Sequence, residues 1–356
     1  MTYDFFPPGK AAVLIDGQFG STGKGLLAAY LARTAKYEPD VVTTNASANA
    51  GHTTILEDGE KMVLHHLPTA GVLTRAEIYI NAGAVIEPVV FGLEASIWDR
   101  RFQVIDRLLI HPRAAVIESE DLKSTSIGIS GGTGHGVSGA IARKVKRTSP
   151  LIVSQMNLRP HIGTMDLNLL LSGGSRVFVE TPQGLGLSLN GPFYPHCTSR
   201  VISVAQSLSD AGIHPAFIGP VFLSLRAHPI RVGNVDLGEG VHASSGGWHS
   251  DQYEMNWSDL NVQPETTTVT KRPRRIASFS HSQAKAALIA TRPHFIFLNF
   301  VQYQPDTSLS IARWLQATAE SLGLGRVPVW AGIGPRHDQD VFEDIDTALT
   351  EVKRRG

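Results

Sequence analysis

A glycine-rich turn near the amino terminus carries residues that could bind phosphate. Segment 16–25 reads DGQFGSTGKG and follows the apolar run 11–15, AAVLI. A strand, a glycine-rich turn and a lysine at a helix start direct backbone N–H groups and a cation at phosphate oxygens. The standard P-loop needs Gly at position 18 and Ser or Thr at position 25, where this chain has Gln18 and Gly25. The turn therefore predicts phosphate binding without the usual magnesium-binding hydroxyl, and an ordinary turn before a helix is the alternative.

A second short segment combines a histidine with small residues. Residues 49–53 read NAGHT and follow the apolar run 41–43. His52 could donate to a transferring or leaving oxygen, while the carbonyl of Gly51 could face a metal ion. The chain contains 14 His, so an ordinary loop histidine is the alternative for any one of them.

The elements that must position these residues alternate along the chain. Short apolar runs alternate with amphipathic stretches, which predicts an α/β fold with a mostly parallel central sheet. Because no repeat or linker interrupts the pattern, we expect one large domain over 1–356, with long functional loops at 124–138 and 246–275. The clearest predicted strands are 11–15, 78–80, 176–179, 294–300 and 328–331, and the clearest predicted helices are 24–35, 200–211, 308–322 and 342–354.

Composition excludes several classes of partner. Lys plus Arg and Asp plus Glu both number 32, so no overall basic field exists to hold a nucleic acid or an anionic membrane. The single Cys197 excludes an internal disulfide, and no run of 18 apolar residues occurs. We expect a cytoplasmic protein with no nucleic-acid partner and no membrane contact.

Several segments, taken in order, resemble the adenylosuccinate synthetases. That family carries a GxQWGDEGKGK loop followed by NAGHT, and this chain carries GQFGSTGKG followed by NAGHT. The resemblance implies one large α/β domain with a P-loop-like turn and a two-fold homodimer, in which Arg147 crosses to the partner's site. The further matches are 132–136 (GTGHG) to the family's 5′-phosphate loop TTGRG, 180–184 (ETPQG) to EGAQG, 198–199 to the start of TSS, and 266–275 to the aspartate loop.

The resemblance implies a two-step ligation. The γ-phosphate of a purine triphosphate moves to O6 of a purine nucleotide, and the amine of L-aspartate then displaces it from C6. Phosphoryl transfer needs charge neutralisation more than covalent help. His52 would be the general acid, Lys24 would offset phosphate charge, and Gln183 would complete the catalytic set. Arg272 and Arg274 would hold the aspartate carboxylates through paired hydrogen bonds, although a solvated basic loop is the alternative.

The other assignments implied by the resemblance concern ligand binding. The substrate nucleotide would contact Ser21, Asn49, Thr133, Arg147, Gln183 and Thr198. Aspartate would contact Thr270, Arg272 and Arg274. The triphosphate would contact Gly20, Thr22, Gly23, Lys24, Gly25, Thr53, Asn299, Gly334 and Pro335. The cofactor Mg²⁺ would bind the Gly51 carbonyl and, more weakly, Ser21.

Ser21 is the most informative departure from the family pattern. It stands where the family has an acid that takes the N1 proton of IMP, and Thr22 replaces the next acid. A hydroxyl cannot take that proton as a carboxylate does, but it leaves space for the amino group of a guanine and can accept from its N–H. The pattern resembles the phage branch that acts on dGMP to form N6-succino-2-amino-2′-deoxyadenylate. The alternatives are an IMP enzyme with a relocated base, an inactive homologue, and a non-catalytic purine-nucleotide sensor.

A second departure concerns the phosphoryl donor. The family reads guanine in GTP with the Asp of a TKLD segment, and here 297–302 reads FLNFVQ, with no carboxylate. Unpaired guanine donors are a strong discriminator, so ATP or dATP is the expected donor. Asn299 would read the adenine edge, and Gly334 with Pro335 would pack on the base. The deoxyribose preference, and a host-cytoplasm location if the chain is phage-encoded, come from the phage resemblance alone.

Overall fold

The computed structural model describes residues 3–124, 134–148, 161–236, 242–266 and 272–355. The helices in these ranges are α1 Lys24–Thr34, α2 Thr69–Leu73, α3 Pro88–Phe102, α4 Ser119–Ser124, α5 Val137–Lys146, α6 Leu167–Ser172, α7 Val204–Asp210, α8 His281–Thr291, α9 Pro305–Ser321 and α10 Ile345–Arg355. Within the same ranges, none of the helices has the length and apolar character needed to cross a membrane.

The strands of the described residues follow the same alternation. They are β1 Ala11–Asp16, β2 Val41–Thr44, β3 His52–Ile55, β4 Lys61–Leu64, β5 Glu77–Ile80, β6 Val85–Ile86, β7 Leu108–Ile110, β8 Ala115–Val116, β9 His161–Ile162, β10 Val177–Glu180, β11 Ile218–Arg226, β12 Ile230–Arg231, β13 Val235–Asp236, β14 His242–Ala243, β15 Glu254–Met255, β16 Arg275–Ala277, β17 Phe295–Asn299, β18 Val329–Gly332 and β19 Val341–Phe342.

One ten-stranded sheet organises the chain. Its order is β19-β18-β17-β11-β1-β10-β2-β5-β7-β9, and the neighbours run parallel except for the edge pair β18 and β19. This arrangement confirms the predicted α/β fold with a mostly parallel sheet. Strand β1 lies between β10 and β11, and ligands of such sheets bind outside the carboxyl ends of the strands. The glycine-rich turn after β1 therefore occupies the position expected of a ligand site.

The sheet is buried on both faces, which explains the continuous apolar runs of its strands. Along β1, Ala12 and Leu14 join the core under α1, α2 and α3. Ala11, Val13 and Ile15 face the opposite core, which α6 to α10 cover. The two-residue period of a strand sends successive side chains to opposite faces.

Several details differ from the sequence prediction. The helix predicted at 308–322 begins at Pro305, and the helix predicted at 342–354 begins at Ile345, because Phe342 belongs to strand β19. The helix predicted at 200–211 begins at Val204, because the hydroxyl of Ser203 accepts from the N–H of Gln206 at 3.0 Å and caps the helix. The central strand β11 was not among the predicted strands. The predicted loop 246–275 contains the short strand β15 and part of a small antiparallel sheet with β12 and β16.

Candidate active site

A buried carboxylate organises the turn after β1. Asp16 is fully buried, and it accepts from the N–H of Gln18 at 2.7 Å and the hydroxyl of Thr22 at 2.7 Å. It also accepts from the Lys24 ammonium at 3.2 Å and, at 3.4 Å, from the N–H of Gly20. A buried charge requires such partners. The turn therefore curls around Asp16 and leaves its outer backbone for a ligand.

The turn requires left-handed backbone at three positions. The φ angles of Gly20, Ser21 and Gly23 are 89°, 54° and 92°. Two of these positions carry glycine, for which positive φ costs little, whereas Ser21 adopts it with a side chain. The Ser21 side chain is exposed at the surface of the turn, where it can meet a ligand.

The segment that follows β10 packs directly against this turn. The Lys24 ammonium donates to the carbonyl of Gln183 at 2.8 Å, and Gln183 has a φ of 63°. A Cβ at Gly184 would lie 2.5 Å from Asp16 Oδ1 and 2.7 Å from the N of Gly20. Only glycine therefore allows the two segments to approach this closely.

Strand β3 packs against the start of α1 and explains the departure from the P-loop pattern. A Cβ at Gly25 would lie 2.9 Å from the N of Thr53 and 3.1 Å from the Cβ of His52. A Ser or Thr at position 25 would therefore displace β3. The absence of a side chain at Gly25 allows the NAGHT segment to reach the predicted phosphate loop.

The environment of His52 disfavours its charged form in this ligand-free state. Burial, with smaller contributions from the charges of Lys24 and His65, lowers the pKa of His52 to about 3. Its Nδ1 lies 4.0 Å from Oε2 of Glu180, a carboxyl that accepts from backbone N–H groups at the start of α2. Burial raises the pKa of Glu180 to about 7. A bound phosphate would raise the pKa of His52, because a nearby negative charge favours imidazolium.

The loop before His52 is held from one side and open on the other. The Nδ1 of His65 donates to the carbonyl of Ala50 at 2.6 Å, whereas Gly51 is exposed. Within the described residues, the Oδ1 of Asn49 is buried without a hydrogen-bond partner. Buried polar atoms usually have a partner, so Asn49 is suited to a ligand contact.

Helix α5 carries the predicted phosphate-binding segment at its start and Arg147 at its end. Its N-terminal residue Val137 packs in the same small core as Ala48, beside the NAGHT segment, and Gly136 caps the helix with a φ of 71°. Ten helical residues span about 15 Å, so Arg147 lies far from that start, exposed at the other end. Thr133 lies outside the described residues.

The predicted aspartate loop closes on Glu265. The N–H of Arg274 donates to the carbonyl of Glu265 at 2.8 Å, and its Nε donates to the carbonyl of Thr266 at 3.4 Å. Burial lowers the pKa of Arg274 to about 10, which leaves the guanidinium charged at neutral pH. Arg272 is half-buried, and Thr270 lies outside the described residues.

The residues predicted to contact the triphosphate base lie at the end of β17 and just after β18. Asn299 is 3% exposed; its Nδ2 donates to the carbonyl of Thr22 at 3.3 Å, and its Oδ1 accepts from the N–H of Phe300 at 2.8 Å. In this state its amide supports the turn, and reading an adenine edge would require it to exchange partners. The carbonyl of Pro335, beside Gly334, accepts from the N–H of Ile55 at 3.1 Å.

The segment after β10 also contacts the glycine-rich turn further along the chain. The N–H of Thr198 donates to the carbonyl of Leu187 at 2.8 Å, and the N–H of Gly186 donates to the carbonyl of Gln18 at 2.7 Å. Arg200 is buried and donates to the carbonyl of Asn45. Thr198 is therefore tied to the turn through a chain of backbone contacts.

Three residues in this region received no role from the sequence. Glu180 lies beside His52, and Arg226 bridges Ser21 and Glu265. Glu180 ends an apolar strand inside the segment resembling EGAQG, so its position was a usable signal. No local sequence pattern indicates a role for Arg226 or Glu265, because only the fold brings these two residues together.

Comparison with known proteins identifies the class. The family model described as adenylosuccinate synthetase matches residues 13–161. The N6-succino-2-amino-2′-deoxyadenylate synthase of Vibrio phage phiVC8 is 35% identical over 94% of this chain and 98% of its own length. The adenylosuccinate synthetase of Pyrococcus horikoshii is 31% identical over 77% of this chain and 79% of its own length.

A solved structure gives the same result. The succinoaminodeoxyadenylate synthetase of cyanophage S-2L, bound to dGMP and dATP as an energy donor, has a TM-score of 0.85 and 31% identity, with 97% of this chain and 99% of that chain covered. The chain belongs to the adenylosuccinate synthetase family, as the sequence resemblance implied. It is a carbon–nitrogen ligase of purine nucleotide synthesis.

The close packing of Gly184 on the turn can be tested directly. Gly184→Ala keeps an extended backbone, with φ of −138°, but its methyl group overlaps Asp16 and Gly20. We expect the KM for ATP to rise about tenfold or more and stability to fall by about 1–3 kcal/mol. Gly247→Ala is the matched control, since a Cβ there meets no atom within 4 Å. Steady-state kinetics and thermal unfolding measure both effects, and wild-type values for Gly184→Ala would contradict the packing.

Proposed function

We propose that this chain joins L-aspartate to C6 of dGMP, with hydrolysis of ATP or dATP, through a 6-phosphoryl intermediate. The product is N6-succino-2-amino-2′-deoxyadenylate. Similarity to the enzyme of phage phiVC8 over 94% of this chain supports the assignment. The likeness to a cyanophage enzyme bound to dGMP and dATP supports both the substrate and the donor. We also propose that residues 1–356 form one domain and act in the cytoplasm, the host cytoplasm if the chain is phage-encoded.

The observation that carries the proposal is Ser21 in an otherwise competent phosphate turn. Its hydroxyl is exposed on the turn, beside backbone held by Asp16 and Lys24. A short neutral side chain leaves room for the exocyclic amine of guanine and offers it an acceptor. A carboxylate at this position would instead serve the N1 proton of hypoxanthine.

The chemistry follows from residues already close to the turn. Lys24 would neutralise phosphate charge, and His52 would donate to the transferring phosphoryl group once the bound phosphates raise its pKa. Gln183, whose carbonyl already holds Lys24, would contact the purine. Asn49, whose Oδ1 has no hydrogen-bond partner among the described residues, and Thr198 would position the substrate nucleotide. The resemblance assigns the same role to Thr133, which lies outside the described residues.

The amino acid and the donor would bind on either side of the purine. Thr270, Arg272 and Arg274 would hold the aspartate carboxylates and direct the amine at C6. The donor phosphates would lie along the turn, and the donor base would lie near Asn299. Members of the donor site are Gly20, Thr22, Gly23, Lys24, Gly25, Thr53, Asn299, Gly334 and Pro335.

The residues present fit a magnesium ion carried largely by the substrate. Gly51 is exposed and has a hard carbonyl oxygen to offer, and the Ser21 hydroxyl is a weaker second ligand. No cluster of three or more His, Cys, Asp or Glu suited to a metal occurs among the described residues. Mg²⁺ commonly keeps waters and phosphate oxygens and needs few protein ligands. When bound it would neutralise charge on the transferring phosphoryl group.

We propose a two-fold homodimer in which Arg147 serves the partner's site. The length of α5 separates Arg147 from the phosphate-binding end of its own helix. Helix α3 also presents an exposed apolar stripe of Val89, Leu93 and Ile97, which are 68%, 61% and 56% exposed. Spacing of four residues places them on one face, and an exposed apolar face of this kind is typical of a subunit interface.

A substrate panel tests the proposed reaction. Purified protein with dGMP, aspartate and ATP or dATP should release phosphate and form a succino-nucleotide. IMP should support at most about 1% of that kcat/KM, because no carboxylate takes its N1 proton. Preference for IMP over dGMP would identify a conventional adenylosuccinate synthetase. Nucleotide-dependent thermal stabilisation without phosphate release would identify a sensor, and either result would contradict the proposal.

Mixing two inactive variants tests the cross-subunit role of Arg147. Random exchange of Arg147→Ala with His52→Ala makes half of the dimers mixed, each with one intact site, so about a quarter of wild-type activity should return. Mixing His52→Ala with Lys24→Ala is the control, because both lesions stay in the site of their own chain. Recovery in neither mixture would place Arg147 in its own subunit's site.

A further inference from the structure

One arginine connects the phosphate turn to the aspartate loop. Arg226 ends β11, and it is fully buried. Its backbone exchanges two hydrogen bonds with Gln18 of the turn: Arg226 N donates to Oε1 at 2.9 Å, and Gln18 Nε2 donates to Arg226 O at 3.2 Å. This double contact fixes the position from which the guanidinium extends.

The guanidinium contacts both segments at once. Its Nη1 donates to the carbonyl of Ser21 at 3.1 Å, and its Nη2 donates to Oε1 of Glu265 at 2.6 Å. One face of the group stacks on Phe300, with Cζ 3.9 Å from the ring centroid. A planar guanidinium held at its edge and its face has one orientation. Arg226 therefore fixes the carbonyl of the left-handed residue Ser21 relative to Glu265.

Glu265 closes the base of the aspartate loop. Its carbonyl accepts from the N–H of Arg274 at 2.8 Å, and the next residue, Thr266, pairs with Pro273 across the loop. Its carboxylate is only 25% exposed and also accepts from the hydroxyl of Tyr303 at 3.1 Å. The described ends of the loop, Thr266 and Arg274, are thus attached to the residue whose carboxylate holds Arg226.

We propose that Arg226 is a positioning residue that couples the guanine subsite at Ser21 to the aspartate loop, an inference that rests on the proposed function. Aspartate bound by Arg274 would hold that residue against Glu265, and Glu265 would in turn hold the guanidinium and the Ser21 carbonyl. By linkage, dGMP and aspartate raise each other's affinity by the same factor. The ligase thereby favours aspartate binding when a purine already occupies the guanine subsite.

Arg226→Met tests this role because it keeps an unbranched apolar stem and removes the charged fork. We expect the KM for aspartate and the KM for dGMP each to rise about tenfold or more, with the KM for ATP changed less than about threefold. Glu265→Gln breaks the same ion pair from its more exposed side and should show the same split. In the double variant the effects should be less than additive, as expected for two partners in one contact.

Arg107→Met is the matched control for the loss of an arginine. Arg107 donates to the carbonyls of Gly71 and Ala76, away from the turn, so its replacement should leave all three KM values unchanged. An unchanged KM for aspartate in both Arg226→Met and Glu265→Gln would overturn the coupling. An equal rise in all three KM values would indicate a misfolded turn and would also overturn it.

Failure of the proposed function gives a different result. A wild-type enzyme that prefers IMP would contradict the dGMP assignment, and the same KM values measured with IMP would still test the coupling. A wild type without aspartate-dependent phosphate release would contradict catalysis itself. Calorimetry would then test the coupling through the affinity for aspartate measured with and without dGMP. We expect dGMP to raise this affinity in the wild type but not in Arg226→Met.

Discussion

The buried carboxylate of Asp16 is the constraint on which the site depends. It holds the N–H of Gln18, the hydroxyl of Thr22 and the ammonium of Lys24 within 2.7 to 3.2 Å. A charge buried this deeply persists only if its partners stay in place. Because the turn is wrapped around its own anion, its outer backbone and the exposed Ser21 side chain are left accessible to a ligand.

The neighbouring segments carry glycine at the positions where they pack most closely around that turn. Gly25 allows β3 to bring His52 against the start of α1, and Gly184 allows the segment that follows β10 to reach the turn. The same approach buries His52 beside Glu180 and lowers the pKa of the histidine to about 3. The ligand-free site thus disfavours imidazolium, and negative charge from bound phosphates would favour it. In the proposed function, this dependence would tie proton donation by His52 to the presence of the nucleotide.

The sequence predicted the parts of this molecule that local chemistry determines. The run AAVLI before a glycine-rich turn predicted β1, the turn and α1, because strand, turn and helix signals are adjacent there. Strand β11 was missed since Gly219, Pro220 and Ser224 interrupt its apolar pattern. The contact between Arg226 and Glu265 joins residues 39 positions apart, and no periodicity reports such a pair. The order of motifs predicted the family, whereas the connection between the subsites required the fold.

In the proposed function, the side chain at position 21 determines the preference for a 2-aminopurine, and exchange of that side chain tests this assignment most directly. Asp and Asn both tolerate the left-handed backbone of Ser21, so Ser21→Asp and Ser21→Asn differ only in the added base. The measurement is the ratio of kcat/KM for dGMP to kcat/KM for IMP. We predict that Ser21→Asp lowers this ratio about a hundredfold or more, because the added carboxylate raises IMP turnover. Ser21→Asn, which adds no base, should not raise IMP turnover. Equal ratios in the wild type and Ser21→Asp would contradict the account.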